Sequence, residues 1–458
     1  MKRILLTPIF LTMASAQAIT EQTFVEQLKK THPFFNQQAL SSQIKLIEKQ
    51  ATTANEDWTI ALDAQYKDED VSHVSSITAY DQLDTSSLTS SATRKFTQTG
   101  GDITLKHTWK DKSEDLNTSR NTFSVDYTHP LLKNKDGIND RLNTDVAQLS
   151  INKNALDRLE QEEAFILKNL QRFIDLAYAQ EQQNINENRL LLAQQELDLV
   201  NKRYAASVVE KVDVLLQEDA YQRAKQQLLQ AQQDLTLLRR EIAITLALDF
   251  DNVIAKTDLY KAYKFDTTSL KNHLQSQSRV LKLLELDQQI LRRQLKSYQN
   301  QSKAKLDLKL GLSRDGEKDN FSDSLERQST SWNVGLGLSY PLGGVKNNSD
   351  ISKAKIELEK SREAQQEKLL DLHVQAATLK EKIQLLEAMM LSNREQIVIA
   401  KARTVEEKRR YANGNGQASF VINAQNNEQS VALSYAQVAK NYQKSVLEFK
   451  ATIDQLLR

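Results

Sequence analysis

The chain contains no cysteine. This excludes a disulfide framework and removes the acylated cysteine that anchors some exported proteins, so no lipid anchor is expected. Only four prolines and eleven glycines punctuate 458 residues, and none falls within 139–202 or 347–409. After the first residues no segment approaches about eighteen consecutive apolar side chains, the minimum for a membrane-spanning helix. A chain that crosses a bilayer without such a segment must do so with strands. Charge of one sign is also lacking: 61 Lys and Arg stand against 60 Asp and Glu. That balance gives no support for nucleic-acid binding. The six histidines show no metal-ligand spacing, and there is no glycine-rich phosphate loop or nucleophile motif, so no catalytic, cofactor-binding or metal residues are expected.

What is present starts with a leader. Met1-Lys2-Arg3, an apolar stretch from Ile4 to Met13 and Ala16-Gln17-Ala18 read as a signal peptide over 1–18, with the mature chain starting at Ile19. The rest says the same thing twice. Arg203-Tyr204 and Arg410-Tyr411 lie 207 residues apart, each at the end of a long polar helical stretch. Pro130-Leu131-Leu132 and Pro341-Leu342 lie 211 residues apart, each closing a strand pattern before a long helix. A period this long means two half-molecules, 19–250 and 251–458. Each half reads as helix, strand, loop, strand, long helix, turn, long helix. At 1.5 Å per residue the breaker-free stretches predict helices of roughly 90 Å. Their leucines, Leu190, Leu191, Leu192, Leu197, Leu199, Leu228, Leu229, Leu235, Leu237 and Leu238, suit an apolar seam between helices.

Four segments alternate with period two over about ten residues, enough for a tilted strand to cross a bilayer. Trp58, Ile60, Leu62, Ala64 and Tyr66 share one face in the first, and Trp332, Val334, Leu336, Leu338 and Tyr340 in the last. The aromatic ends Trp58, Tyr66, Trp332 and Tyr340 read as interfacial girdles. Phe123, Val125 and Tyr127 form the second pattern, and Ala304, Leu306, Leu308, Leu310 and Leu312 the third. Any one of these alone fits a half-buried sheet of a soluble protein equally well. Residues 68–101 and 313–330, with Asp315-Gly316, read as solvated loops. A fifth segment, Ile103, Leu105, His107 and Trp109, breaks the parity of an up-and-down barrel and is placed with 93–98 in an extracellular hairpin, 93–110.

With these residues in view, the sequence resembles the TolC-type outer membrane efflux channel family over nearly the whole mature chain. His32-Pro33-Phe34 sits where that family carries an Asn-Pro-like step, 25 residues before Trp58, and Ser278-Arg279 sits correspondingly before Ala304. The helix-tip pattern is Arg-Tyr, two residues, Gly, then Asp-Val-Leu. Here it reads Arg203-Tyr204, Ser207 at the Gly position, and Asp213-Val214-Leu215. The second copy, Arg410-Tyr411, Gly414 and Phe420-Val421-Ile422, matches more loosely.

The resemblance implies an α+β fold: a transmembrane β-barrel completed by a homotrimer, four strands per chain, continuing into a long antiparallel α-helical coiled-coil periplasmic tunnel. A small mixed region would come from 249–268. It also implies a passive conduit from periplasm to exterior in a tripartite efflux or type I secretion system. The partners would be a periplasmic adaptor, an inner-membrane transporter and outer membrane lipid, with no cofactor and no catalysis. In the family the helix tips close the periplasmic end. Its acidic ring positions fall on Phe420 and Asn423, a Tyr–Asp tie between tips falls on Tyr411 and Asp213, and a basic residue falls on Gly416. Phe420 either lines the pore, closing it by dewetting, or packs in the helix seam. Glu210 and Lys211 flank the first tip as adaptor contacts or as solvated charge. A surface-exposed coiled-coil adhesin or structural envelope protein is the alternative reading of the same helices.

Overall fold

The computed structural model describes residues 17–70, 82–113, 117–249, 253–265, 269–326, 328–340 and 342–457. The expected leader therefore lies outside the described residues except for Gln17 and Ala18, and so does Pro341. The chain divides into two compact units. One comprises the residues up to Ala39, Asp157–Leu281 and the residues from Glu367 on; the other comprises Leu40–Leu156 and Lys282–Gln366. Each unit takes segments from both halves of the sequence.

In the first unit, β1 (Gln17–Ile19) pairs in parallel with β6 (Val253–Ala255). This short sheet falls in the region expected to be mixed, of which 250–252 and 266–268 lie outside the described residues. A mature chain starting at Ile19 would keep one of its three register pairs, Ile19 with Ala255. Around it pack α1 (Glu21–Thr31), α4 (Lys211–Leu246), α5 (Leu270–Gln277) and α9 (Ala418–Thr452), with parts of α3 (Leu142–Ala205) and α8 (Val345–Ala412). Thr20 opens α1 with a capping box to Thr23, satisfying backbone donors that would otherwise be orphaned. Phe24, Leu28, Phe173, Ile242, Leu274 and Tyr442 form the fully buried centre.

Helices α3 and α8 run to 64 and 68 residues, because nothing in their interiors breaks the backbone ladder. Near the tips, however, the seam is not made by the leucines. Asn186, Arg189, Ala193, Glu196 and Val200 are buried on α3, at spacings of three and four. Leu191, Leu199, Leu229 and Leu237 are exposed, and of the ten expected seam leucines only Leu235 is fully buried. On α4 the buried set is Val214, Gln217, Ala220, Ala224, Ala231 and Leu235. Alanines and polar side chains fill this seam, and several of the larger apolar groups turn outward.

In the second unit, α2 (Pro33–Ala51) and α6 (Arg279–Gln301) lead into one antiparallel sheet. Its order is β2 (Thr59–Asp70), β3 (Gln82–Phe96), β4 (Gly101–Ser113), β5 (Thr118–Pro130), β7 (Lys305–Lys318), β8 (Ser329–Ser339). Six strands, not the four expected, are present among the described residues. The residues read as a solvated loop contain β3, and the residues read as an outer hairpin contain β4. The serines and threonines of β3 hid it, because both of its faces carry them. They nevertheless form cross-strand pairs on one face: Thr89 with Thr108 at 3.3 Å and Thr93 with Thr104 at 3.0 Å. Asp315-Gly316, also read as loop, lies within β7, and α7 (Phe321–Glu326) joins β7 to β8. Residues 71–81, from the same expected loop, lie outside the described residues.

Candidate functional site

The two helix tips are built alike. After α3, Ser207 N donates to Tyr204 O at 2.9 Å and Val208 N to Arg203 O at 2.9 Å. After α8, Gly414 N donates to Tyr411 O at 3.2 Å and Asn415 N to Arg410 O at 2.9 Å. Both turns pass through the left-handed region, Ser207 at φ 56° and Gly414 at φ 76°. Glycine adopts that region freely, whereas serine holds it under strain.

Arg203 joins the tips. Its guanidinium donates to Tyr411 O and Ala412 O, both at 3.2 Å, and lies 4.8 Å from the centre of the Tyr411 ring. A cation here satisfies terminal carbonyls of α8 and opposes its dipole. Tyr411 is 7% exposed and packs with Ala418 and Val421. Its hydroxyl has no hydrogen-bond partner among the described residues. The expected tie to Asp213 is therefore not a hydrogen bond. Asp213 instead accepts from Glu210 N at 3.4 Å at the start of its own helix, where a carboxylate is favoured. Burial, then the nearby Asp213 charge, pushes the Tyr411 hydroxyl above its ordinary pKa. Of the other tip residues, Tyr204 is exposed with the Lys211 ammonium 5.7 Å from its ring centre, and Arg410 lies 3.8 Å from Glu407.

Phe420 is 46% exposed and Asn423 is exposed, while Val421 between them is fully buried. Gly416 explains the missing basic residue: a Cβ there would lie 2.9 Å from Tyr411 N and 3.2 Å from Arg410 C. The tight turn and a long cationic side chain exclude one another at this position.

Behind the tips, sequence reasoning missed a polar ladder. Lys408 pairs with buried Glu196 at 2.9 Å, and Arg189 donates to Asn426 Oδ1 at 2.9 Å. Gln429 donates to Asn186 at 2.7 Å and to Gln227 at 3.0 Å. Its signal was the three-and-four spacing from 186 to 200, masked by the leucines beside it. Further along the same unit, Arg279 contacts Glu160 at 2.5 Å, Asp454 at 3.0 Å and Glu163. These three carboxylates cluster closely enough to hold a cation, and the guanidinium is already that cation.

In the second unit the register assigns each side chain of the sheet to one of two faces. Ile60, Ala92, Leu105, Val125, Leu312 and Trp332 form one row across all six strands. The neighbouring row reads Ala61, Ser91, Lys106, Ser124, Ser313 and Ser331. Trp58, Tyr66, Trp332 and Tyr340, expected as the girdle, are all exposed.

No protein-family model matches the chain, and no curated protein matches it in sequence. Solved structures do match in shape. A membrane protein from Pseudomonas aeruginosa superposes at TM-score 0.69 with 12% identity, covering 94% of this chain and 90% of the other. The outer membrane protein VceC from Vibrio cholerae gives 0.65 with 13% identity and 95% of both chains. The open-state outer membrane channel MtrE of Neisseria gonorrhoeae gives 0.67 with 12% identity, over 95% and 89%. These TM-scores, with near-complete coverage in both directions, show that the chain has the fold of the TolC-type outer membrane efflux channels.

Proposed function

We propose that the protein is the outer membrane channel of a tripartite efflux or type I secretion system. It is a homotrimeric, internally duplicated conduit whose sheet crosses the outer membrane and whose long helices form a periplasmic tunnel. Its partners are a periplasmic adaptor and an inner-membrane transporter that supplies the energy; the chain itself catalyses nothing.

One observation carries this reading: the helices are apolar on two opposite sides. On α8, Leu372, Ala376, Ile383 and Met390 are buried, while Leu370, Val374, Leu385 and Met389 are exposed. The exposed set repeats at spacings of four and eleven, which at 100° per residue keeps it on one side of a straight helix, opposite the buried set. On α4, Leu215, Leu229, Leu237 and Ile244 are likewise exposed, opposite Ala224, Ala231 and Leu235. Apolar stripes of this length on otherwise polar helices mark interaction surfaces. Further copies of the same chain cover them in the tunnel.

The periplasmic gate is assigned to the tips, with Phe420 and Asn423 toward the axis and Arg203 and Tyr411 holding the closed state. Exposure of Phe420 beside a buried Val421 supports that placement. Native mass of the detergent-extracted protein tests the whole reading. A homogeneous assembly of roughly 150 kDa, three mature chains under cyclic symmetry, is expected. A stable monomer would sink it, since an open sheet leaves unsatisfied backbone groups in lipid.

A further inference from the structure

We infer that all six strands of each chain enter the barrel, with the edge of β2 in one copy pairing with the edge of β8 in the next. Three copies would then close eighteen strands. This rests on the trimeric channel reading, and it departs from the four strands per chain that the resemblance implies.

The first support is the turn between β3 and β4. It lies at the end of the sheet where β2 begins and β5 ends, since Thr59 pairs with Thr93 and Asp102 with Thr128. Arg94 donates to Glu56 O at 3.0 Å, and Thr97 bonds the Glu56 carboxylate. Gly137, at φ 61°, sits so close that a Cβ would lie 1.6 Å from Thr97 O; one on Gly100 would lie 2.3 Å from Asn134 O. A hairpin held at this end by its own turn is not an outer flap.

The second support is the division between faces. On β3 and β4, Thr85, Ser87, Thr89, Ser91, Thr93, Thr104, Lys106, Thr108 and Lys110 share the polar face with Asp126, Ser124, Asn333 and Ser331, and Leu83, at the end of β3 away from the turn, is the one apolar residue of the hairpin on it. The opposite face of the hairpin carries Leu88, Ala92, Ile103, Leu105 and Trp109 in the rows of the flanking strands, with Ser86, Ser90 and His107 among them and Asp84, Arg94 and Asp111 toward its ends.

The third is the slide of the apolar band. It runs from Trp58 to Tyr66 on β2 and from Trp332 to Tyr340 on β8, yet Ile60 and Trp332 share a row, so the band shifts by six positions over five strand steps. With a rise of about 3.4 Å and a spacing of about 4.8 Å, the shift corresponds to a strand tilt of roughly 40°. Closed membrane barrels require that tilt. The hairpin lies in the middle of this progression.

Six is even, so β2 and β8 run in opposite directions and can extend an antiparallel ladder between copies; each has a single strand neighbour among the described residues. Eighteen strands would make the pore about one and a half times as wide as twelve, a size at which barrels hold an aqueous channel. Assembly also demands a movement. In the single chain the apolar face curls around a cavity of about 530 Å³ reached by both Ile60 of β2 and Thr330 of β8. Closure with neighbouring copies turns that face toward lipid.

The absence of native cysteine makes the test direct. Full-length protein in its own outer membrane would carry single cysteines along β3 and β4, each labelled with a fluorophore and exposed to a lipid-borne quencher, with trimer mass checked for each variant. Leu88→Cys, Ala92→Cys and Leu105→Cys should lose about half their emission or more, and Thr89→Cys, Thr93→Cys and Lys106→Cys little. In parallel, Ala61→Cys would be combined with Ser331→Cys, Asn333→Cys, Gly335→Cys or Gly337→Cys and oxidised. At least one pair should give disulfide-linked dimers and trimers. Linked copies with hairpin sites uniformly open to water would overturn the inference and leave the channel reading standing. Period-two quenching without linkage at any β8 site would overturn the edge pairing. Neither alternation nor linkage would overturn both readings.

Discussion

Arg203 and Tyr411 show how a residue pair can be legible in sequence while its chemistry is not. The motif marks both positions, yet the tyrosine hydroxyl has no hydrogen-bond partner among the described residues and the arginine makes the bonds, to the Tyr411 and Ala412 carbonyls. Charge-assisted hydrogen bonds of this kind are worth about 1.5–3 kcal/mol each before exposure discounts them. Arg203→Gln should therefore raise single-channel conductance at low voltage, and Tyr411→Phe should leave it near wild type. Planar-bilayer recording compares them, and a larger rise from Tyr411→Phe would return the tie to the hydroxyl. Ser207→Gly relieves a positive φ and should stabilise the tip by about 0.5–1 kcal/mol, read as slower local hydrogen exchange around 204–210. Burial is the largest influence on Glu160 and pushes its carboxyl up, with the Arg279 guanidinium opposing. A raised folded pKa means that the folded state holds the proton more tightly than the unfolded chain. The stability this group contributes is therefore complete below the ordinary carboxylate range and is lost as pH rises through the raised value. Glu160→Gln should accordingly gain in melting temperature over wild type as pH climbs upward from the ordinary carboxylate range; a gap that narrows would refute the sign. Arg279→Met, leaving three carboxylates without their cation, should cost about 3–5 kcal/mol.

Elements were legible where one period dominated. The helices announced themselves through missing breakers, and β2, β5, β7 and β8 through alternation, with aromatic ends on β2 and β8. The tip turns were legible because Arg-Tyr recurs 207 residues apart, and the same hydrogen-bond pattern follows each copy. β3 was not, because serine and threonine on both faces erase the contrast that period-two reading needs. Its apolar face, Ser86, Leu88, Ser90 and Ala92, makes sense only beside β2 and β4. The helix seam was misread for the converse reason: leucine is the usual seam residue, whereas here alanine, glutamine and paired charges fill it and Leu191, Leu199, Leu229 and Leu237 face outward. Gly137 shows what a single residue of a short loop holds in place. Gly137→Ala would drive a methyl into Thr97 O at a positive φ, a strain of order 1–3 kcal/mol before any steric term. The expected outcome is protease cleavage at the 97–100 turn in a variant whose helical unit still melts cooperatively. Equal loss of both units would mean that the junction does more than hold the hairpin.

The whole molecule is argued best from surfaces that a single copy leaves uncovered. Val374 and Leu385 are exposed on α8, at 54% and 67%, so charging them removes no contact within the chain. Surface substitutions away from structural features usually change stability by less than about 0.5 kcal/mol. If these residues met only water, Val374→Glu with Leu385→Glu would be silent. If they lie between copies, six carboxylates enter three equivalent apolar contacts, and each is desolvated without a partner. The double variant should then fold as a chain, with wild-type helical content, and fail to assemble, its native mass falling from roughly 150 kDa toward roughly 50 kDa. Gln384→Glu, an exposed position on the same helix and off the stripe, should leave the mass unchanged. A double variant that stays trimeric would show that the stripe faces something other than its own copies. The tunnel would then have to be built through α4 and α9, and the outward leucines of α8 would become a surface for the adaptor.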